Sequence, residues 1–217
     1  MNSTDWLPLI QLLRDAGLEF EAGLTDAEVD QIENRFSFRF PIDLRSLLQT
    51  AVPFWNSPRW HTAAEADLRP WFDPPIEGIL FDVERNEFWL REWGERPPAL
   101  PDALKIARAR INCAPKLIPI LGHRYMPASP NEAGNPIFSV HQADIIYYGF
   151  DLEDYLRHEF NLPRKDWPAQ VKQIDFWDPD RFQQLRWGDD LSPPADRAIA
   201  DQSTLHPITA SKLEANS

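Results

Sequence analysis

The apolar positions of this chain change period several times, and each change marks an element. Leu9, Leu12, Leu13 and Ala16 recur at helical spacing behind a capping Thr4, and Gly17 supplies the stop. Thr25 and Glu28 have the spacing of a capping box ahead of a stripe of Val29, Ile32 and Phe36. Phe38 and Phe40 flank Arg39 in a short extended piece, and Pro41 opens a third helix carrying Ile42, Leu44, Leu47 and Leu48. Between Pro53 and Pro75 the chain gathers prolines together with Trp55, Trp60 and Trp71. Prolines on this scale disfavour long regular elements, and large aromatics are costly to leave in water, so an ordered loop layer is expected there.

The period then shortens to two. Ile79, Phe81 and Val83 alternate with Leu80, Asp82 and Glu84, which predicts a strand, with Phe88 to Leu90 as its neighbour across a turn at Arg85-Asn86. Leu104, Ala107 and Ile111 follow Asp102 at helical spacing until Pro115. Leu117 to Leu121 reads as a strand that Pro119 assigns to an edge or a bulge, and Ile137 to Val140 with Ile145 to Tyr148 reads as a hairpin. Asp151 caps a closing helix with Leu152, Tyr155, Leu156 and Phe160 on its inner face. Helices, then strands, one helix, strands and a helix make an α+β pattern with a largely antiparallel sheet. A single domain is expected over residues 1–187, with its core at about 20–160 and an aromatic-rich extension at 161–187 that packs back through Trp167, Phe176, Trp177, Phe182 and Trp187. Residues 188–217, rich in Asp, Ser, Pro and Ala, read as a flexible tail.

Charge narrows the function classes. With 34 acidic against 22 basic side chains the formal net charge is −12, a poor match for a phosphate backbone and a good one for a basic protein partner. Seven carboxylates, those of Asp15, Glu19, Glu21, Asp26, Glu28, Asp30 and Glu33, fall between Arg14 and Arg35 with no basic residue among them. They form either a solvated helix face or a contact surface, and Asp26 and Glu28 also suit a helix start. Cys113 is the only cysteine, which rules out an internal disulfide framework, and it is expected to be a small buried apolar residue. With no secretory h-region and no apolar run of spanning length, the expected location is the cytoplasm, without membrane insertion.

Catalytic motifs are sparse. No two of the eight glycines are near enough to build a phosphate-cradling loop, and His158-Glu159 lacks the second histidine of a zincin. One polar constellation is left. Asp82 and Glu84 on one strand face, with His123, Arg124, His141 and Asp144 near the ends of later strands, can bind a metal or support acid-base chemistry if they converge. Otherwise they are a solvated strand face and polar turns, with His123, Arg124 and Tyr125 tying down a loop. Nothing in the sequence calls for a cofactor.

The segment GLTDAEVDQIENRFSFRFPIDLRSLL, Gly23 to Leu48, resembles the opening of the SUKH superfamily, named in part for a yeast cell-wall-assembly regulator. GILFDVERNEFWLREWGERP from Gly78, KLIPILGHRYMP from Lys116 and GNPIFSVHQADIIYYG from Gly134 are similar to its bacterial branch. The likeness spans roughly residues 20 to 160. It implies helices packed on a curved antiparallel sheet and, for many bacterial members, an immunity protein that binds and neutralises a toxin, often a nuclease. The alternatives it leaves are a regulatory scaffold or adaptor in cell-envelope control and, from the polar constellation alone, a metal-assisted hydrolase.

Overall fold

A computed structural model describes residues 5–183, except 55, 63, 165 and 167. Helix α1 (Leu7–Asp15) carries Pro8 in its first turn, where an amide would have no helical partner, and ends as Gly17 adopts a φ of +94°. It buries Leu9, Ile10 and Leu13 while Leu12 and Ala16 face outward, so its inner stripe differs from the predicted one. The expected Thr4 cap lies outside the described residues. Helix α2 (Asp26–Phe36) begins on the predicted capping box: the Thr25 hydroxyl accepts from the Glu28 amide at 3.3 Å, and the Glu28 carboxylate accepts from the Thr25 amide at 2.8 Å. Helix α3 (Ile42–Thr50) follows Pro41.

Two short strands unforeseen in the sequence, β1 (Phe20–Ala22) and β2 (Ala51–Pro53), pair antiparallel into a ribbon. Gly23 explains how the chain leaves that ribbon for α2. A Cβ there would sit 1.9 Å from the Gln49 carbonyl oxygen, so only glycine lets the backbone cross the end of α3.

The proline-rich stretch holds a 3-10 turn (Trp60–Thr62) and helix α4 (Glu65–Phe72), and Pro74 and Pro75 form the first turn of α5 (Pro74–Arg85). Part of the expected loop layer is therefore helix; Trp60 and Phe72 pack as a layer, and Trp55 lies outside the described residues. Trp60 meets Phe40 edge-on at 5.3 Å and Phe72 at 6.2 Å, and Phe72 stacks on Phe36 at 4.8 Å.

Helix α5 overturns the predicted strand at 79–84. Ile76, Ile79, Leu80 and Val83 lie at i, i+3, i+4 and i+7 and pack inward, and the apparent alternation was carried by Phe81, which is 46% exposed. Phe88 to Leu90, its expected strand neighbour, is irregular chain leading to a 3-10 turn at Arg91–Trp93. Helix α6 (Leu100–Asn112) buries Ala103, Ala107 and Ile111. Cys113, its C-cap, is exposed and not buried as expected, because it follows the inner stripe by two residues and falls on the far side of the helix.

Strands β3 (Leu117–Pro119), β4 (Arg124–Pro127), β5 (Ile137–His141) and β6 (Asp144–Gly149) form an antiparallel sheet in that order, with β3 at an edge as Pro119 requires. Arg124 and Tyr125, expected in a loop, belong to β4. Helices α7 (Leu152–Glu159), capped by Asp151 as predicted, and α8 (Pro179–Gln183) complete an α+β fold with helices packed on the sheet. Alternating side chains cover both sheet faces. Ile118, Met126 and Ile137 join α1, α2, α3 and α7, while Leu117, Tyr125, Phe138 and Ile145 join α5, α6, Phe176, Trp177 and Phe182. Among the extension's aromatics, Trp167 and Trp187 lie outside the described residues, as does the tail from Gly188. No helix among the described residues is long and apolar enough to cross a membrane.

Candidate functional site

The seven carboxylates between Arg14 and Arg35 divide into two sets. Four serve the fold. Asp15 accepts from the Gln11 amide one turn back, at 2.9 Å. Asp26 accepts from Gln49 at 2.8 Å and Arg45 at 3.0 Å, and those bonds hold its pKa below the ordinary carboxylate value. Glu28 closes the capping box and also meets His61 at 3.0 Å, and the His61 and Thr25 hydrogen bonds lower its pKa to about 2. Glu33 is buried, accepts from the Phe40 amide at 2.8 Å and pairs with Arg39, so it fastens the α2–α3 turn. The carboxylates of Glu19, Glu21 and Asp30 are exposed and form no hydrogen bond or ion pair with another described residue.

Glu21 also lines a cleft of about 230 Å³ whose other walls are Pro53, Phe54, Asn56, Ser57, Pro58, Arg59 and Trp71. Phe54 is 45% exposed, and the Arg59 guanidinium lies 5.5 Å from its ring centroid. The Phe54 amide donates to the Glu19 carbonyl at 3.0 Å, so the ribbon register sets this aromatic beside the free acidic residues. A larger groove of about 650 Å³ runs along α3 past Ile42, Ser46 and Thr50, but its arginines are already engaged, Arg39 with Glu33 and Arg45 with Asp26. The smaller cleft therefore combines free charge with an exposed aromatic. The sequence singled out Glu21 and Trp71, but gave no signal for Phe54 and Arg59, which meet them only through the ribbon and the turn that follows.

The polar constellation does not form as a strand face. On helix α5, Asp82 turns inward and Glu84 outward, because residues two apart on a helix point about 200° from each other. Asp82 is buried and accepts from the Ala143 amide at 2.8 Å and from Asn86, which docks α5 on the β5–β6 turn. Gly78, one turn earlier, allows the approach: a Cβ there would come within 2.9 Å of the Gln142 Cα. Glu84 pairs with Arg85 at the surface. His141 and Asp144 are exposed at the ends of β5 and β6. No group of three or more His, Cys, Asp or Glu among the described residues is placed to hold a metal ion.

Arg124 instead joins a network the sequence did not reveal. Its guanidinium lies 3.5 Å from the Tyr148 ring centroid, donates to the Ser139 hydroxyl at 2.7 Å and to His123, and stands 3.5 Å from Glu159. His158 stacks on Tyr148 at 4.4 Å, with its Nδ1 2.9 Å from the Tyr148 carbonyl oxygen. Partial loss of hydration, then the charges of Arg124 and His141, push the His123 pKa down, which suits a neutral ring accepting from Arg124. Burial raises Tyr125 to about 12 and Tyr155 well above the ordinary tyrosine value. These phenols stay protonated, and the network joins α7 to the sheet. Comparison with protein-family models, curated proteins and solved structures finds no match for the chain.

Proposed function

We propose that the chain is a non-catalytic protein-binding module of the immunity or antitoxin kind, acting in the cytoplasm by occluding a basic toxin, such as a nuclease. The observation that carries this reading is the pair of free carboxylates Glu19 and Glu21 set beside the cleft that presents Phe54. An acidic edge speeds the encounter with a basic partner, and an aromatic anchor beside it supplies affinity once water is excluded. The net charge of −12 adds to the steering. The SUKH-like segment from Gly23 to Leu48 spans the capped helix, the extended turn and the third helix.

Immunity proteins are expected to be encoded beside their toxins, so growth is the direct readout. Expression of the neighbouring gene's product should arrest cells, and co-expression of this chain should restore growth. A variant carrying Glu21→Lys and Phe54→Ala should fail to restore it while still folding. A neighbouring product that is harmless, or one whose toxicity this chain does not relieve, defeats the proposal.

A further inference from the structure

His61 stands in the 3-10 turn between two acceptors. Its Nδ1 lies 3.0 Å from a Glu28 carboxylate oxygen and its Nε2 lies 2.9 Å from the Ala22 carbonyl oxygen. A neutral imidazole has one N–H and one lone pair, so it can satisfy only one of these two oxygens. Both contacts become hydrogen bonds only when both nitrogens carry protons. The place of the Ala22 contact matters as well. Glu21 pairs with Val52, and the Glu19 carbonyl accepts from the Phe54 amide. Backbone groups alternate along a strand, so Glu19 and Glu21 turn theirs toward β2 while Phe20 and Ala22 turn theirs to the outer edge. His61 therefore covers part of a free strand edge as well as Glu28.

We propose that His61 is a proton-operated latch, which with both ring nitrogens protonated closes the 3-10 turn over Glu28 and the outer edge of β1, and which must give up one of these two contacts when one proton is lost. The charged groups that act on His61 are Glu28 of α2 and Glu21 of β1, both anionic. The Glu28 hydrogen bond is the chief reason that the ring's pKa lies above its ordinary value, and the same contact, together with the Thr25 hydrogen bonds, lowers Glu28 to about 2. The direction follows from those signs. The stabilisation is complete below the ordinary histidine value of about 6.5 and is lost as pH rises through the higher folded-state value. On the acid side it is lost only as pH falls toward about 2, where Glu28 takes up a proton. Trp60 is buried beside Phe40 and Phe72, which anchors the turn and confines the opening to its contacts. Loss of the Glu28 contact would leave that carboxylate held by Thr25 alone, and the latch operates whether or not the acidic edge meets a partner.

The test uses the full chain alone. Histidine ring resonances are followed by NMR from about pH 5 to pH 9, together with hydrogen-exchange protection of the Trp60 and Thr62 amides, which donate within the turn to Pro58 and Arg59. The His61 midpoint should exceed about 6.5, and protection should fall about tenfold or more across it. Glu28→Gln keeps the capping box but removes the charge. It should return the midpoint to about 6.5 or below and abolish the step in protection. His61→Gln, with no proton to lose, should give protection that does not change with pH. A wild-type midpoint at or below about 6.5, a midpoint unmoved by Glu28→Gln, or wild-type protection without a step would overturn the latch.

Discussion

Asp82 illustrates what a single residue can and cannot disclose. Its sequence context offers a carboxylate on an amphipathic segment, whereas its role depends on the Ala143 amide, 61 positions away. Removing the carboxylate leaves that buried amide without an acceptor, which costs about 1–3 kcal/mol. Asp82→Ala should lower unfolding stability in urea by that amount, while Glu84→Ala, at an exposed position, should change it by less than about 0.5 kcal/mol. Equal effects at the two positions would put the helical assignment of this segment in doubt. Glu33 makes the same point within the acidic run. Its spacing from Val29 and Phe36 puts it on the inner stripe of α2, but the partner that satisfies it there, the Phe40 amide, lies beyond the helix. The Thr25–Glu28 box, by contrast, was legible because both of its partners lie within one helical turn.

Legibility at the level of elements follows the same division between local and distant causes. Helices α2, α3, α6 and α7 and the β5–β6 hairpin carry long enough periods, or clear enough caps, to be read directly. Strands β1 and β2 are three residues each, too short to display a period, and they exist because Gly23 and the end of α3 bring them together. Helix α5 was misread because Phe81 interrupts the helical pattern with an exposed aromatic, and the two prolines before it pointed toward loop when they in fact start the helix. The Asp151 cap allows a clean check of a correctly read element. Its carboxylate accepts from the Asp154 amide at 2.7 Å, so Asp151→Ala should cost about 1 kcal/mol in thermal or chemical unfolding, and Asp151→Ser should restore most of it. If Ser behaves no better than Ala, Asp151 acts through something other than the cap.

Across the molecule, the sheet is buried on both faces, which leaves the surface features to the connecting segments and the ribbon. The candidate site gathers there: the ribbon edge provides Glu19 and Glu21, the chain after β2 provides Phe54 and Arg59, and α4 provides Trp71. The acidic residues and Trp71 were legible one by one, whereas Phe54, Arg59 and the cleft itself were not, since the cleft needs three segments to meet. The claim that this edge binds a basic protein is tested most directly by calorimetric titration of the protein encoded by the neighbouring gene against the wild-type chain and the Glu21→Lys, Phe54→Ala double variant. Loss of an anchor of about 2 kcal/mol predicts affinity at least about 30-fold weaker for the variant, with the melting temperature unchanged. Equal affinity of the two chains, or no binding by the wild type, would contradict the account.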